Sequence, residues 1–391
     1  MKNFAFYNPT RVFFGAGEMN RLGKEAAKYG KKALLVKTEG PLEKMGVYAR
    51  AIKLMEDEGM TVVPLNGVTS NPKLSKIEEG IKICKEEGVD IVIAVGGGSG
   101  IDSAKAIAYG ALDDGDLWDF FTLKRVATKS LPIGAVSTIA ATGSEMNVNC
   151  VVTNDRDPDM KNWRKWSTHF EHSFPQFAIL DPQLHVSVPK YLTAAGMADT
   201  ISHVLEGYFD GEEDTPLQDR LGEGVIQTVI ENDGVLDDPA NISYRANLSW
   251  AATLALNGLH DAGRGAKAYD AHTIEHELGA KTDCTHGAGL AVCHTAWLYH
   301  LNSLNPKKFV QFAERVFGIK KEAGMTDEEV GKLGIDALKA RFKSWGMPLT
   351  LKELGVKRED IPKLALDMTQ NPEGVLLKQD ILIDVLESCY E

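Results

Sequence analysis

The stretch YDAHTIEHELGA, residues 269–280, places His272 and His276 four residues apart with Glu275 between them. Residues at this spacing share one face of a helix, so both imidazoles can face one metal ion. The letters H-x-x-E-H are also the pattern of the inverted zinc proteases, in which two histidines bind zinc and the glutamate activates water. That pattern predicts a hydrolase, but an ordinary helix with one capping and one core histidine has the same spacing. Other parts of the chain have to distinguish these interpretations.

Further metal-binding residue types lie in the same half of the chain. Asp199 and His203 are four residues apart in GMADTISHVLEG, and His286 follows in CTHGAG. One carboxylate with several imidazoles suits divalent iron or zinc, and three or four protein ligands would leave a position for a substrate oxygen. The remaining histidines have no partner in register, and we expect them in the core or on the surface: His169, His172, His185, His260, His294 and His300.

A glycine-rich loop follows an apolar run in DIVIAVGGGSGIDSAKAIA, residues 90–108. Consecutive glycines let the backbone approach a ligand, and the positive end of a helix predicted to begin around Ile101 favours a phosphate. A plain strand-to-helix turn would need only one glycine, so we predict a pyrophosphate site. The spacing matches neither the G-x-G-x-x-G nor the P-loop pattern. A second polar loop, STIAATGSEMNVN, follows the run IGAV and predicts either more ligand contacts or an ordinary turn.

The elements that must carry these loops alternate in the first half of the chain. The runs ALLV, TVVPL, DIVIAV and IGAVST read as strands, and amphipathic segments such as KIEEGIKICKEEG read as the helices between them. This order predicts a parallel, Rossmann-like sheet covered on both faces. After FAILDPQLHVSVP the periodicity becomes almost entirely helical. We therefore expect an α/β dinucleotide-binding domain over residues 1–182 and an all-α metal-binding domain over residues 183–391.

The composition excludes several kinds of partner. A net charge of −12 over 391 residues argues against nucleic acid or an anionic membrane surface. The N-terminal residues read as neither a secretory signal nor a membrane anchor, and the five scattered cysteines fit reduced thiols. We expect a cytoplasmic protein that forms a homo-oligomer, namely a dimer. A protease has no use for a pyrophosphate loop, whereas a dehydrogenase needs both a dinucleotide domain and a site that polarises an oxygen.

Together these segments resemble the iron-containing (group III) alcohol dehydrogenase family, in its butanol dehydrogenase and broad-range aldehyde reductase branch. The resemblance covers nearly the whole chain and rests on a collinear set: GGGSGIDSAK, ATGSEMN, LDPQLHVSVP, GMADTISHVLEGYF, WAATLALNGL and AHTIEHELGA with CTHGAGLA. It implies a cleft between the two domains that holds NAD(P) and one divalent metal, Fe²⁺ or Zn²⁺. The implied reaction is hydride transfer between the nicotinamide and a small alcohol or aldehyde, such as butanol or butanal.

The resemblance also implies roles for individual residues. The metal ligands would be Asp199, His203, His272 and His286. His276 matches a histidine that lines the cleft without binding metal, and we expect it to relay the proton; Glu275 is then expected on the helix surface. The implied cofactor contacts are Asn71, Gly97, Gly98, Ser99, Asp102, Thr138, Thr142, Asn147 and Lys165.

One departure from the family pattern concerns the coenzyme. Many relatives have a Gly-Gly-Gly-Ser turn after the first strand, where this chain has VKTEGPLEKMG with Glu39. A carboxylate accepts a hydrogen bond from the ribose 2′-hydroxyl but repels a 2′-phosphate, so we expect NAD(H) to be favoured over NADP(H). Lys37 and Lys44 nearby weaken that inference, and His185 replaces a threonine that is common in the family.

Three alternatives to the dehydrogenase remain at this point. A lyase of the dehydroquinate synthase type could use the same fold with NAD and a metal. A metallohydrolase would turn over without a nucleotide. A non-enzymatic nucleotide-binding or sensor protein would bind NAD(P)H without oxidising an alcohol.

Overall fold

The structure, a computed structural model, describes residues 1–265, 269–372 and 377–391. The chain forms two compact units. The α/β unit comprises Tyr7–Val188 and Asp238–Thr253, and the helical unit comprises Met1–Phe6, Pro189–Asp237 and Leu254–Glu391. The chain thus leaves the α/β unit after Val188, whereas we expected the boundary at residue 182. Residues 1–6 lie in the helical unit instead of the α/β unit, and residues 238–253 lie in the α/β unit instead of the helical unit.

Each of these reassigned segments is held by specific contacts. The amide of Lys2 donates to the carbonyl of Gly263 at 2.8 Å, which ties the N-terminus to the helical unit. In the other segment, the hydroxyl of Thr253 donates to a carboxylate oxygen of Glu145 at 2.5 Å. Periodicity identifies a segment as helical but does not tell against which neighbour the helix packs, so these contacts could not be read from the sequence.

The α/β unit is built on one parallel sheet. Its strands are β1 (Arg11–Phe14), β2 (Lys32–Thr38), β3 (Thr61–Val68), β4 (Ile91–Gly96), β5 (Ile133–Ser137) and β8 (Phe177–Leu180). They lie in the order β1-β8-β5-β4-β2-β3, and every neighbouring pair is parallel. A separate antiparallel pair consists of β6 (Asn149–Asn154) and β7 (Arg164–His169). The predicted Rossmann-like parallel sheet is therefore confirmed.

Helices cover both faces of this sheet. They are α1 (Leu22–Ala26), α2 (Val47–Glu56), α3 (Leu74–Glu87), α4 (Gly98–Gly110) and the short α5 (Trp118–Phe121). Leu34 of β2 packs in one core with residues of α3 and α4, and its neighbour Leu35 packs in a second core with residues of α1 and α2. Alternate residues of a strand face opposite sides, which is why a sheet buried on both faces needs continuous apolar runs.

The helical unit contains no strand in its described residues. The remaining helices of the chain are α6 (Lys190–Tyr208), α7 (Pro216–Glu231), α8 (Ile242–Leu256), α9 (Asp270–Thr282), α10 (His286–Leu304), α11 (Pro306–Phe317), α12 (Asp327–Ser344), α13 (Ile361–Met368) and α14 (Gln379–Ser388). One core joins α9 and α10 to α13 and α14. Within the described ranges, no helix combines the length and apolar character needed to cross a membrane.

Candidate active site

Three helices of the helical unit carry the predicted metal ligands. Asp199 and His203 lie one turn apart on α6, His272 lies on α9, and His286 is the first residue of α10. Gly287 allows the start of α10 to approach α6, because a Cβ at this position would lie 1.9 Å from the carbonyl oxygen of Ala195. The close approach of these two backbones brings His286 to Asp199.

The imidazoles converge on one carboxylate oxygen. Asp199 Oδ1 lies 3.4 Å from His203 Nδ1, 3.8 Å from His272 Nε2 and 3.5 Å from His286 Nε2. A zinc ion that binds its ligands at about 2.1 Å holds tetrahedral ligands roughly 3.4 Å apart. The donor atoms of Asp199, His272 and His286 all lie within 4.8 Å of one another. His203 lies beside this trio, with its ring stacked on that of His272 at 4.5 Å between centroids.

The surroundings of this cluster fit a divalent cation. Asp199 Oδ1 and His272 Nε2 are buried, and neither atom has a hydrogen-bond partner in the described chain. Burial raises the pKa of Asp199, but the charges of His203 and His286 outweigh it and hold that pKa well below the usual range. A buried carboxylate of this kind requires a positive partner, and a metal ion supplies one.

Two further carboxylates contact the cluster from outside. Glu206 on α6 accepts hydrogen bonds from His272 Nδ1 at 2.8 Å and from the His272 amide at 3.0 Å. Burial opposes ionisation of Glu206, but the hydrogen bonds and charge of His272 lower its pKa to about 2. Burial likewise lowers the pKa of His272, while Asp199 and Glu206 together raise it to about 9. We did not predict Glu206 from the sequence, although it lies one turn beyond His203 on the same helix.

Glu275 is the second of these carboxylates, and the prediction that it lies on the helix surface is wrong. Its side chain is fully buried and accepts a hydrogen bond from His286 Nδ1. Residues 271–280 of α9 are all buried, so this helix has no exposed face over that stretch. His276 is also buried, and its ring stacks on that of His286 with 5.8 Å between centroids.

In the α/β unit, the predicted nucleotide-binding residues follow the carboxyl ends of adjacent parallel strands. Glu39 comes directly after β2, Asn71 three residues after β3, Gly97 directly after β4 and Thr138 directly after β5. These ends meet at one edge of the sheet, which is where open α/β sheets bind ligands. The sequence position of each residue and the strand order together bring them to this edge.

The glycine run is shaped by close packing as well as by the turn. Helix α4 begins at Gly98, three residues earlier than predicted, and Gly97 is its N-cap residue. A Cβ at Gly97 would lie 2.6 Å from Ile139, and one at Gly98 would lie 2.5 Å from the hydroxyl oxygen of Thr142. The glycines therefore allow the second polar loop to pack directly against the first, with the helix N-terminus inside the run.

A buried lysine that was not predicted as a site residue joins these two loops. Lys105 Nζ donates to Ser144 Oγ at 2.8 Å, to Asn147 Oδ1 at 3.1 Å and to the carbonyl of Asn149 at 2.7 Å. Asp102 accepts from Ser144 Oγ at 2.6 Å and from the Val151 amide at 3.0 Å. Asp102 and Asn147 thus hold the loops in place. A lone lysine in the small-residue run SAKAIA was the available signal for its burial.

Two predicted cofactor residues differ in their exposure. Lys165 on β7 is buried and pairs with Thr153, whose amide donates to the carbonyl of Pro72 beside Asn71 at 2.7 Å. Glu39 is exposed at the end of β2. The neighbouring Lys37 is bound to Glu43 at 2.5 Å and lies 4.9 Å above the ring of Tyr48. These contacts draw the Lys37 charge towards Glu43 and Tyr48.

Comparison with known proteins extends these observations to the whole chain. Residues 9–182 match the family described as iron-containing alcohol dehydrogenase, and residues 193–378 match the C-terminal domain of that family. NADH-dependent butanol dehydrogenase A of Clostridium acetobutylicum is 37% identical over 99% of this chain and 98% of its own. An NADPH-dependent aldehyde reductase of Escherichia coli is 33% identical over 100% and 99%. The crystal structure of NADH-dependent butanol dehydrogenase A from Thermotoga maritima has a TM-score of 0.94 at 37% identity, covering 100% of this chain and 99% of that one.

Proposed function

This chain belongs to the iron-containing alcohol dehydrogenase family, and we propose that it interconverts short- to medium-chain aldehydes and alcohols, such as butanal and butanol, with NADH as preferred coenzyme. Membership makes it an alcohol and aldehyde oxidoreductase of the nicotinamide- and metal-dependent type. The relatives support neither the lyase of dehydroquinate synthase type nor the metallohydrolase.

The observation that carries the proposal is the convergence on Asp199 Oδ1. The metal would be held by four residues, Asp199, His203, His272 and His286. Their nitrogen and oxygen donors suit Fe²⁺ or Zn²⁺, and the buried carboxylate of Asp199 needs a cation. When bound, the metal supplies a Lewis acid for the substrate oxygen, and the coenzyme supplies or accepts the hydride. No covalent bond between enzyme and substrate is required.

His276 is our candidate for the group that moves the proton. It lies one helical turn from His272 and stacks on His286, and an imidazole can hold or release a proton near neutral pH. A buried ring at this place keeps the proton close to the cluster and away from bulk water. In the α/β unit, Gly97, Gly98 and Ser99 would bind the pyrophosphate at the N-terminus of α4.

The coenzyme preference rests on the loop after β2. The exposed Glu39 carboxylate is suited to accept a hydrogen bond from a ribose 2′-hydroxyl and would repel a 2′-phosphate. The contacts of Lys37 with Glu43 and Tyr48 reduce the weight of that lysine as a phosphate ligand. The Clostridium relative is NADH-dependent by name, while the more distant Escherichia relative is NADPH-dependent.

The metal content of two aspartate variants tests the proposal. We expect Asp199→Asn to lose most bound metal and aldehyde reduction while it still binds NADH, because removal of a direct ligand should exceed the roughly ten- to hundredfold loss seen on removing a ligand's partner. Asp219→Asn is the control, since Asp219 is equally buried in the helical unit but pairs with Arg264 at 2.8 Å. An Asp199→Asn protein with full metal content would contradict the site.

A further inference from the structure

We propose that Glu275 is a positioning residue that orients His286 towards the metal, in parallel with Glu206 acting on His272. This inference rests on the proposed function, since it concerns the same metal site. It assigns a purpose to the glutamate of H-x-x-E-H that differs from activation of water. It also gives Glu275 a different role from that of its sequence neighbour His276, which is our candidate for proton transfer.

The hydrogen-bond directions determine which imidazole nitrogen can bind metal. A carboxylate only accepts hydrogen bonds, so the hydrogen of His286 must reside on Nδ1, which contacts Glu275. Nε2 of His286 is then left as the electron-pair donor, and this is the atom 3.5 Å from Asp199 Oδ1. His272 repeats the arrangement, with Nδ1 on Glu206 and Nε2 3.8 Å from the same oxygen. Histidine ligands of metals generally donate their other N–H in this way.

The two glutamates also connect the helices that carry the ligands. Glu206 extends from α6 to His272 on α9, and Glu275 extends from α9 to His286 on α10. Each carboxylate therefore fixes both the ring orientation and the spacing between two ligand-bearing helices. Loss of either contact should change the metal geometry without removing a ligand.

The space for the Glu275 side chain depends on a glycine in the next helix. A Cβ at Gly289 of α10 would lie 2.8 Å from Glu275 Cγ and 3.1 Å from its Oε1. An alanine at position 289 would therefore displace the carboxylate while leaving every charge and every ligand in place. Glu275, His276 and His286 also form a trio whose donors lie within 4.8 Å. The direct hydrogen bond between Glu275 and His286 leaves no position for a second ion between them.

Glu277 supplies a matched control on the same helix. Glu275 and Glu277 are both fully buried, but they are two residues apart and so about 200° apart around the helix axis. Glu277 accepts a hydrogen bond from Lys281 Nζ at 3.1 Å. Glu275→Gln and Glu277→Gln therefore remove the same charge from the same helix, but the first changes a hydrogen bond to His286 of the metal cluster and the second changes one to Lys281.

The test uses the full-length protein loaded with Co²⁺ as a spectroscopic probe. We expect Glu275→Gln to weaken Co²⁺ binding about ten- to hundredfold in competition with a chelator, and to shift the visible absorption of bound Co²⁺. Gly289→Ala should produce both changes with the glutamate still present. Glu277→Gln should produce neither, and neither should Gly224→Ala, where a Cβ meets nothing within 4 Å.

The outcomes separate this proposal from the proposed function. If Glu275→Gln and Gly289→Ala bind Co²⁺ with the wild-type affinity and spectrum while Asp199→Asn loses it, the positioning role is refuted and the metal site stands. If Asp199→Asn binds Co²⁺ normally, both proposals fail. Equal losses in Glu275→Gln and Glu277→Gln would show a general effect of charge removal and would also overturn the positioning role.

Discussion

Acid should destabilise the α/β unit through one buried histidine, His185, in the turn Pro182–His185 after β8. Its Nε2 lies 3.1 Å from the carbonyl oxygen of Ser137 at the end of β5, so Nε2 carries the hydrogen and donates it. Nδ1 is buried and has no hydrogen-bond partner within the described ranges. Burial, assisted by the charge of Arg245, lowers the pKa of His185 to about 4.

The magnitude follows from the difference between folded and unfolded pKa values. A histidine in the unfolded chain has a pKa near 6.5, so the pKa of His185 is about 2.5 units lower in the folded protein than in the unfolded chain. This difference corresponds to about 3 kcal/mol of stability. The depressed pKa means that the contribution is fully present above pH 6.5 and is lost as the pH falls towards 4. Between pH 7 and pH 4.5, His185 alone should lower the free energy of unfolding by about 2 to 3 kcal/mol.

Urea unfolding of metal-free protein at both pH values measures this effect. His185→Gln keeps an N–H that can donate to the Ser137 carbonyl but does not titrate, so it removes only the pH-dependent part. We expect the variant to lose about 2 to 3 kcal/mol less stability than the wild type between pH 7 and pH 4.5. Equal losses in the two proteins would refute the reasoning, because acid sensitivity would then come from other groups.

Three further results are expected. Glu39→Ser should shift the ratio of kcat/KM roughly tenfold towards NADPH in steady-state assays, and a wild type that already prefers NADPH strongly would refute the ribose argument. His276→Ala should keep its metal while turnover falls about a hundred- to ten-thousandfold, whereas His286→Ala should lose metal; the reverse pattern would favour the protease interpretation. Lys105→Met should lower the free energy of unfolding by about 3 kcal/mol and weaken NADH binding in a fluorescence titration, and unchanged values of both would contradict its role in joining the loops.

Three inner strands of the sheet were predictable because they are buried on both faces. The stretches ALLV in β2, IVIAVG in β4 and IGAV in β5 are continuous runs of apolar residues and glycine, and such runs survive as a sequence signal. The edge strand β1 has only four residues with exposed ends, and β6 and β7 pair as a polar hairpin, so none of the three has that pattern. Their positions depend on tertiary pairing rather than on local composition.

The glycine loop was predictable in kind but not in detail. The glycine run after β4 predicts a turn whose backbone can be approached closely by other groups. In the structure, helix α4 begins within this run. The partners of that approach are the side chains of Ile139 and Thr142, some forty residues further along the chain. Contacts between residues so far apart in the sequence produce no periodic pattern of residue types, so they could not be predicted. The same is true of the hydrogen bonds of Lys105.

The error over Glu275 has a specific physical origin. A charged residue near the middle of a helix normally marks the solvent side, and this holds only when the helix has one. In α9 the two glutamates point to opposite sides of the axis, so a single exposed face could not include both. At least one of them therefore had to meet a partner inside the protein. In the structure both do, since Lys281 meets Glu277 and His286 meets Glu275. The sequence H-x-x-E-H-E thus contains two ion-pairing requirements, and only the partner of Glu275 belongs to the metal cluster.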